Sequence, residues 1–276
     1  MAYRSILVHL GSDARSEVRS RLAMTLAQRF GAHLSGLYVI PPLIMPASFG
    51  SPMPMLSPEI VEAQRDMMAR TAADAAERFT QLARAEGIGV DAETLEGDPG
   101  LRLAERARYA DLTVVGQSEQ EGIATLVRQL PEQVVLESGR GVLVVPYAGR
   151  FDAVGERVVI AWNGGREAAR AAEAAMPLLE RATSVTVFEM DPRDGTGGRA
   201  LACAHALARH GVRAEARHTL TAGVAQGEIL LSTVAEAGAD LLVMGAYGRS
   251  RARELILGGV TRSLLAHMTV PVLMAY

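Results

Sequence analysis

The chain has 276 residues, 49% of them hydrophobic, and a formal charge of −3, enough apolar material for two domains with real cores and too little positive charge for a general nucleic-acid or anionic-membrane binder. All 28 basic residues are arginine, which excludes a Walker P-loop, whose Gly-Lys-Ser/Thr needs lysine, and Schiff-base or pyridoxal phosphate chemistry, which needs a lysine amine. Cys203 stands alone, so no intrachain disulfide and no cysteine-based zinc or iron–sulfur site can form.

Met1 to Gly11 enters an alternating strand at once, without the apolar segment of a signal peptide, and no apolar run approaches the roughly 18 residues of a bilayer span. The expected compartment is the cytoplasm. His9, near the end of this first strand, either faces a ligand pocket or is a satisfied core histidine, the plainer reading. None of the six histidines pairs with another at i, i+4 on one helix, so no metal site is expected. Pro41 to Pro58 holds six of the twelve prolines, with Met45, Met53 and Met55 among them. It reads as a long irregular loop, the alternative being a methionine-lined lid or docking loop.

The chain is written twice. Ala110–Gly116 repeats as Ala239–Gly245 at a shift of 129, Gly141–Tyr147 as Pro271–Tyr276 at 130, and Arg4–Val8 echoes Arg157–Ala161 at 153. The repeat is a whole domain, too long for a solenoid unit. The early shift exceeds the late one by 24, which places an insertion in the first half, near 41–58. Each half alternates five strands with four helices. In the second half strands are expected at Arg157–Trp162, Ser184–Met190, Val212–Thr219, Asp240–Gly245 and Val270–Ala275, with helices at Arg166–Arg181, Arg199–His210, Ala225–Ala237 and Gly259–His267. Consecutively apolar strands alternating with helices imply a parallel sheet covered on both faces, with ligands beyond the carboxyl ends of the strands.

Three features of the second half bear on chemistry. Trp162 sits beside Asn163 at a strand's carboxyl end, placed for packing or for stacking on a base. Gly195-Thr196-Gly197-Gly198-Arg199-Ala200 matches G-x-G-x-x-A but follows the second strand after a spacer, so it reads as a flexible turn and not a dinucleotide fingerprint. Cys203 falls in the expected helix after it, a small buried hydrophobe.

The richest stretch begins where the apolar run Leu241–Met244 stops. Gly245, Gly248, Gly258 and Gly259 allow close approach of bare backbone, and Arg249, Arg251 and Arg253 lie between them. Val260, Leu264, Leu265 and Met268 then recur at helical spacing, so Gly258 and Gly259 should open a helix whose first N–H groups are unpaired. A loop that leaves a buried strand and enters a helix this way suits a polyphosphate.

These residues resemble the universal stress protein family in its tandem form, over almost the whole chain. ATP-binding members carry Gly, two residues, Gly, nine residues, Gly, then Ser or Thr. Gly245, Gly248 and Gly258 fit that spacing, and Gly259-Val260-Thr261 fits the family's Gly-Ser-Val-Thr except at one place. The resemblance implies two Rossmann-like, adenine nucleotide alpha hydrolase-like domains over 1–148 and 155–276, each a five-stranded parallel sheet flanked by helices. It also implies that the fifth strands, Val142–Val145 and Val272–Ala275, pair within one molecule as a pseudo-dimer, and that two chains associate further.

For the site, the resemblance implies ATP, ADP or AMP, with or without Mg²⁺, held by Ala161, Trp162, Asn163, Gly245, Gly248, Arg249, Gly258, Gly259, Val260 and Thr261. Two departures weaken it. Gly259 replaces a hydroxyl residue, for which Thr261 is the substitute, and Asn163 replaces an aspartate, which can still accept a hydrogen bond but without charge assistance. In the first half Gly11, Glu119, Arg128 and Gln129 stand where the signature would need an acid and glycines, so that half should keep the fold and lack the nucleotide site. No nucleophile elbow or paired carboxylates are present, and Glu254 is the one carboxylate of the loop. The leading expectation is a regulatory nucleotide-binding stress protein; the alternatives are a slow ATPase or adenylate-transferring protein, and an interaction module with vestigial sites.

Overall fold

Strands apolar on both faces need helices above and below them, and the alternation of the sequence supplies both. The computed structural model describes residues 2–43, 57–118, 130–192, 195–246 and 259–276. The N-terminal half runs β1 (Ser5–Leu10), α1 (Ser16–Phe30), β2 (His33–Ile40), α2 (Pro58–Ala85), β3 (Val90–Glu96), α3 (Pro99–Ala107), β4 (Leu112–Gly116), α4 (Leu130–Ser138) and β5 (Gly141–Val145). The C-terminal half repeats the order as β6 (Arg157–Ala161), α5 (Arg166–Leu179), β7 (Ser184–Met190), α6 (Gly198–Ala208), β8 (Ala214–Thr219), α7 (Gln226–Glu236), β9 (Leu241–Gly245), α8 (Gly259–His267) and β10 (Val272–Ala275).

The strands do not form two separate sheets. They make one ten-stranded sheet in the order β3-β2-β1-β4-β5-β10-β9-β6-β7-β8. Neighbours within a half are parallel, and the halves join where β5 and β10 pair antiparallel, Val144 opposite Val272 and Val142 opposite Met274. The expected meeting of the fifth strands is therefore present within the chain. Neither fifth strand is left with a bare apolar edge. The outer edges are β3 and β8, whose sequences Val-Asp-Ala-Glu-Thr-Leu-Glu and Ala-Glu-Ala-Arg-His-Thr bury no residue and interleave charged side chains, a composition that discourages further strand addition.

Two apolar layers sandwich the sheet, and each runs through both halves. One gathers residues of α1, α2, α5 and α6, among them Leu22, Phe79, Ala171 and Leu207; the other gathers α3, α4, α7 and α8, among them Leu103, Val135, Leu230 and Leu264. Polar latches cross the same boundary. The Gln117 side chain donates to the Leu265 carbonyl at 2.6 Å and accepts from the Tyr147 amide at 2.9 Å, tying the end of β4 to the last turn of α8. Tyr3 donates to the Ala174 carbonyl at 2.6 Å, and the Arg181 guanidinium lies 4.7 Å from the centre of the Phe30 ring.

Register refines the repeat. Ile6 faces Leu112 while Val158 faces Leu241, so β1 and β6 correspond at a shift of 152, one residue from the 153 suggested by matching Arg4 with Arg157. A one-residue slip would turn every apolar side chain of the strand to the wrong face, so burial overrules the arginine match. The correspondence sets Gly11 against Asn163. Pro41–Leu43 have no regular structure, the call of a loop falls otherwise on residues 44–56 outside the described residues, and Pro58 begins α2, with proline in the first turn where its missing N–H costs nothing. That helix has 28 residues against 11 in α6, so the extra length of the N-terminal half is partly helix. Its first turns bury nothing, and Ile60 and Met67 are 52% and 61% exposed. No helix of the described residues is long and apolar enough to cross a membrane.

Candidate functional site

In each half the strand order reverses direction between the first and fourth strands, and this switch point is where an open α/β sheet leaves a crevice. In the C-terminal half it lies between β6 and β9, where Ala161 is opposite Met244. Ala161 and Trp162 are half-buried and Asn163 is exposed. Trp162 is fixed by its amide, which donates to the Phe188 carbonyl at 2.8 Å, and its ring packs on the apolar layer beneath. Asn163 Oδ1 accepts from the Gly165 amide at 2.8 Å, closing an Asx turn that leads into α5. One lone pair of that oxygen is thereby engaged, and the amide nitrogen remains a donor.

Gly245 ends β9 against the first turn of α5. A Cβ there would lie 2.4 Å from the Ala168 nitrogen and 2.5 Å from the Glu167 carbonyl carbon, a main-chain collision that no rotamer can relieve, so glycine is required by packing. Ala246 follows, fully buried, its amide donating to the Ala275 carbonyl at 2.9 Å. Gly259 opens α8 and is exposed with open space where a Cβ would be, Val260 is half-buried, and Thr261 is buried. Gly248, Arg249 and Gly258 lie outside the described residues.

A cation at this crevice escapes the sequence reading. Arg199 donates through Nη1 to the Asn163 carbonyl at 3.0 Å and through Nε to Glu189 at 2.6 Å. Glu189 is completely buried, and its other oxygen accepts from the Ala200 amide at 2.9 Å, which caps the first turn of α6. Gly197, at φ +70, precedes this turn, and a Cβ on it would strike the His218 ring at 2.7 Å. The end of the Gly195–Ala200 segment, where α6 begins, is therefore anchored to β7 and aims an arginine at the crevice. The signal was available in Glu189, the one charged residue of the largely buried strand β7, which needs a buried partner.

The N-terminal switch point is built differently. Arg19, 4% exposed, donates through Nη1 and Nη2 to the two Asp13 oxygens at 3.0 and 2.8 Å and through Nε to the His9 carbonyl at 3.2 Å. A Cβ on Gly116 would lie 2.5 Å from Arg19 Nη1, so a guanidinium fills the place that α5 backbone takes beside Gly245. Burial pushes the Asp13 carboxyl up, but its hydrogen bonds and charge contact with Arg19 outweigh this and leave it below the usual range. Desolvation, helped by the Arg19 charge, pushes His9 down to about 3, so this histidine is neutral at physiological pH. A cavity of about 260 Å³ opens here, lined by His9, Asp13, Arg15 and Arg19 among others. Glu119, Arg128 and Gln129 lie outside the described residues.

Cys203 is buried on α6 without a partner, and burial pushes its thiol up to about 11, as befits a small core residue.

Comparison with known proteins agrees with this architecture. The profile of the Universal stress protein family matches residues 2–146 and again 156–275. A universal stress protein of Archaeoglobus fulgidus is similar in structure with a TM-score of 0.78 and 17% identity, covering 98% of this chain and 95% of that one. A functionally unknown protein of Pseudomonas aeruginosa PAO1, PA1789, aligns with a TM-score of 0.61 and 16% identity over 99% and 92% of the two chains. A putative universal stress protein of Pseudomonas aeruginosa UCBPP-PA14 gives 0.60 and 17% over 99% and 93%. No curated protein matches the chain by sequence.

Proposed function

The chain belongs to the universal stress protein family, matched once in each half, and from that premise we propose that it is a cytoplasmic stress-response protein whose C-terminal domain, 155–276, binds ATP, ADP or AMP as a regulatory ligand. The N-terminal domain, 1–148, lacks the nucleotide site. The observation that carries this reading is the convergence of Asn163, the Arg199 guanidinium and the Gly245 strand end at the switch point between β6 and β9. There the crevice offers donors of both kinds that a nucleotide needs. In this reading Asn163 presents an amide to the nucleoside, Trp162 a ring edge or face to the base, and the first turn of α8, from Gly259, its unpaired N–H groups to the phosphates.

The residues fit such a ligand. Among the described residues nothing lies where a Gly259 Cβ would be, at the first turn of α8, where unpaired N–H groups and the helix dipole favour negative charge. When bound, the nucleotide brings its own phosphate charge and with it the capacity to carry Mg²⁺. Arg199, ion-paired with Glu189, braces the crevice through its hydrogen bond to the Asn163 carbonyl, and Arg249 is the cation that the sequence assigns to the phosphates. Glu254 is the one carboxylate of the loop, so we read the nucleotide as a bound regulator, with slow hydrolysis the alternative.

Trp162 provides the test. Titrating the full chain with ATP should change its emission saturably, and Gly248→Asp, which puts a side chain and a negative charge where phosphate would sit, should abolish the change while leaving the circular dichroism intact. An unchanged response in Gly248→Asp would refute the assignment of the loop.

A further inference from the structure

We propose that the cavity at the carboxyl ends of β1, β4 and β5 is a second site, which binds a small oxyanion, a carboxylate or inorganic phosphate, on the guanidinium of Arg15. Arg15 is half-buried and held by Nη2, which donates to the Pro146 carbonyl at 3.1 Å and the Gly149 carbonyl at 2.7 Å. Arg15 lines the cavity, and its Nε, buried beneath that lining, finds no acceptor among the described residues. A buried charged donor without an acceptor is costly, and a bound anion removes that cost.

The charges around it leave a surplus. Arg19 is balanced by Asp13 in a two-bonded pair, His9 is neutral, and the Gln117 side chain is committed to Tyr147 and α8. Arg15 is therefore the one uncompensated cation among these groups. At about 260 Å³ the cavity falls below the roughly 300–1,000 Å³ of typical small-molecule sites, a size for phosphate or a short carboxylate and not for a nucleotide. The site stands whether or not the C-terminal half holds adenylate.

The experiment follows the Nε–H signals of the arginines by nuclear magnetic resonance in the full chain, titrated at low salt with acetate, malonate and inorganic phosphate, the Arg15 signal being the one lost in Arg15→Gln. A saturable shift of that signal with at least one anion is expected, and calorimetry should show binding of that anion weakened about tenfold or more in Arg15→Gln, as for one lost charge-assisted contact. Which anion saturates separates a carboxylate site from a phosphate site. Following one assigned arginine also separates this site from phosphate bound in the C-terminal half. Should Arg15→Gln fail to fold, Arg15→Lys, which keeps the charge but loses Nε, serves for the assignment and the comparison. No saturable shift with any of the three, or binding unaffected by the substitution, overturns the proposal.

Discussion

Arg19 and its neighbours show how few atoms decide what a switch point can hold. The guanidinium occupies the space beneath Gly116, its hydrogen bonds and charge hold the Asp13 carboxyl below its usual range, and burial, aided by that charge, keeps His9 neutral. His9 therefore carries a pH liability with a definite sign. Its folded value of about 3 lies below the ordinary 6.5 of a histidine, so the unfolded chain binds the extra proton and stability drains away as the pH falls from about 6.5 toward 3. The loss approaches about 1.4 kcal/mol per pH unit within that window. Asp13, whose value is lowered, adds a loss of the same sign at more acid pH. Urea midpoints of wild type and His9→Asn between pH 7 and 4 check this: the wild type should fall steeply, the variant more gently, and parallel curves would contradict the account. None of this was legible in the sequence. Ser16 to Arg21 shows only that Arg19 is on a helix, and the pairing with Asp13 and the contact with Gly116 depend on how α1 stands off the sheet.

Elements were more legible than contacts, because a buried strand must be apolar on successive residues and a covering helix must repeat every three or four. β6 to β10 and α5 to α8 lie within a few residues of their expected bounds for that reason. Helix α2 was given no bounds by the sequence: it starts directly after the proline-rich stretch, Pro58 to Thr71 buries nothing, and its helicity there rests on alanine, glutamate, arginine and methionine. The glycines that end β4 and β9 look alike in sequence but differ in what they touch. Gly245→Ala drives a methyl into α5 main chain and should cost about 1–3 kcal/mol, whereas Gly116→Ala meets side-chain atoms of Arg19, which can give way more readily than main chain, and should cost less. Denaturant unfolding of the two variants measures the difference, and equal costs would mean that α5 can shift as easily as a guanidinium.

At the scale of the molecule, the two repeats have merged. A single sheet, two apolar layers that both cross the boundary, and the Gln117 latch leave little that belongs to one half alone. Thermal or urea unfolding should thus be one cooperative transition by circular dichroism and by Trp162 fluorescence alike, since the sole tryptophan reports the C-terminal half and the helices report both. Two separated transitions would mean that the β5–β10 seam does not couple the halves. The merger also leaves the sites unequal. One switch point carries an arginine plug and a small cavity, the other an exposed Asn163 and the glycine-rich stretch that begins at Gly245. Asymmetry of this kind was readable from Gly11 and Glu119 against Asn163 and Gly248, although the arginines that define each site were not.

Calorimetric titration of the full chain with ATP, ADP and AMP, each with and without Mg²⁺, addresses the central claim most directly. Saturable binding at about one nucleotide per chain, lost in Gly248→Asp, is the predicted result. Two equivalent nucleotides per chain, or no heat with any adenylate from folded protein, would contradict it.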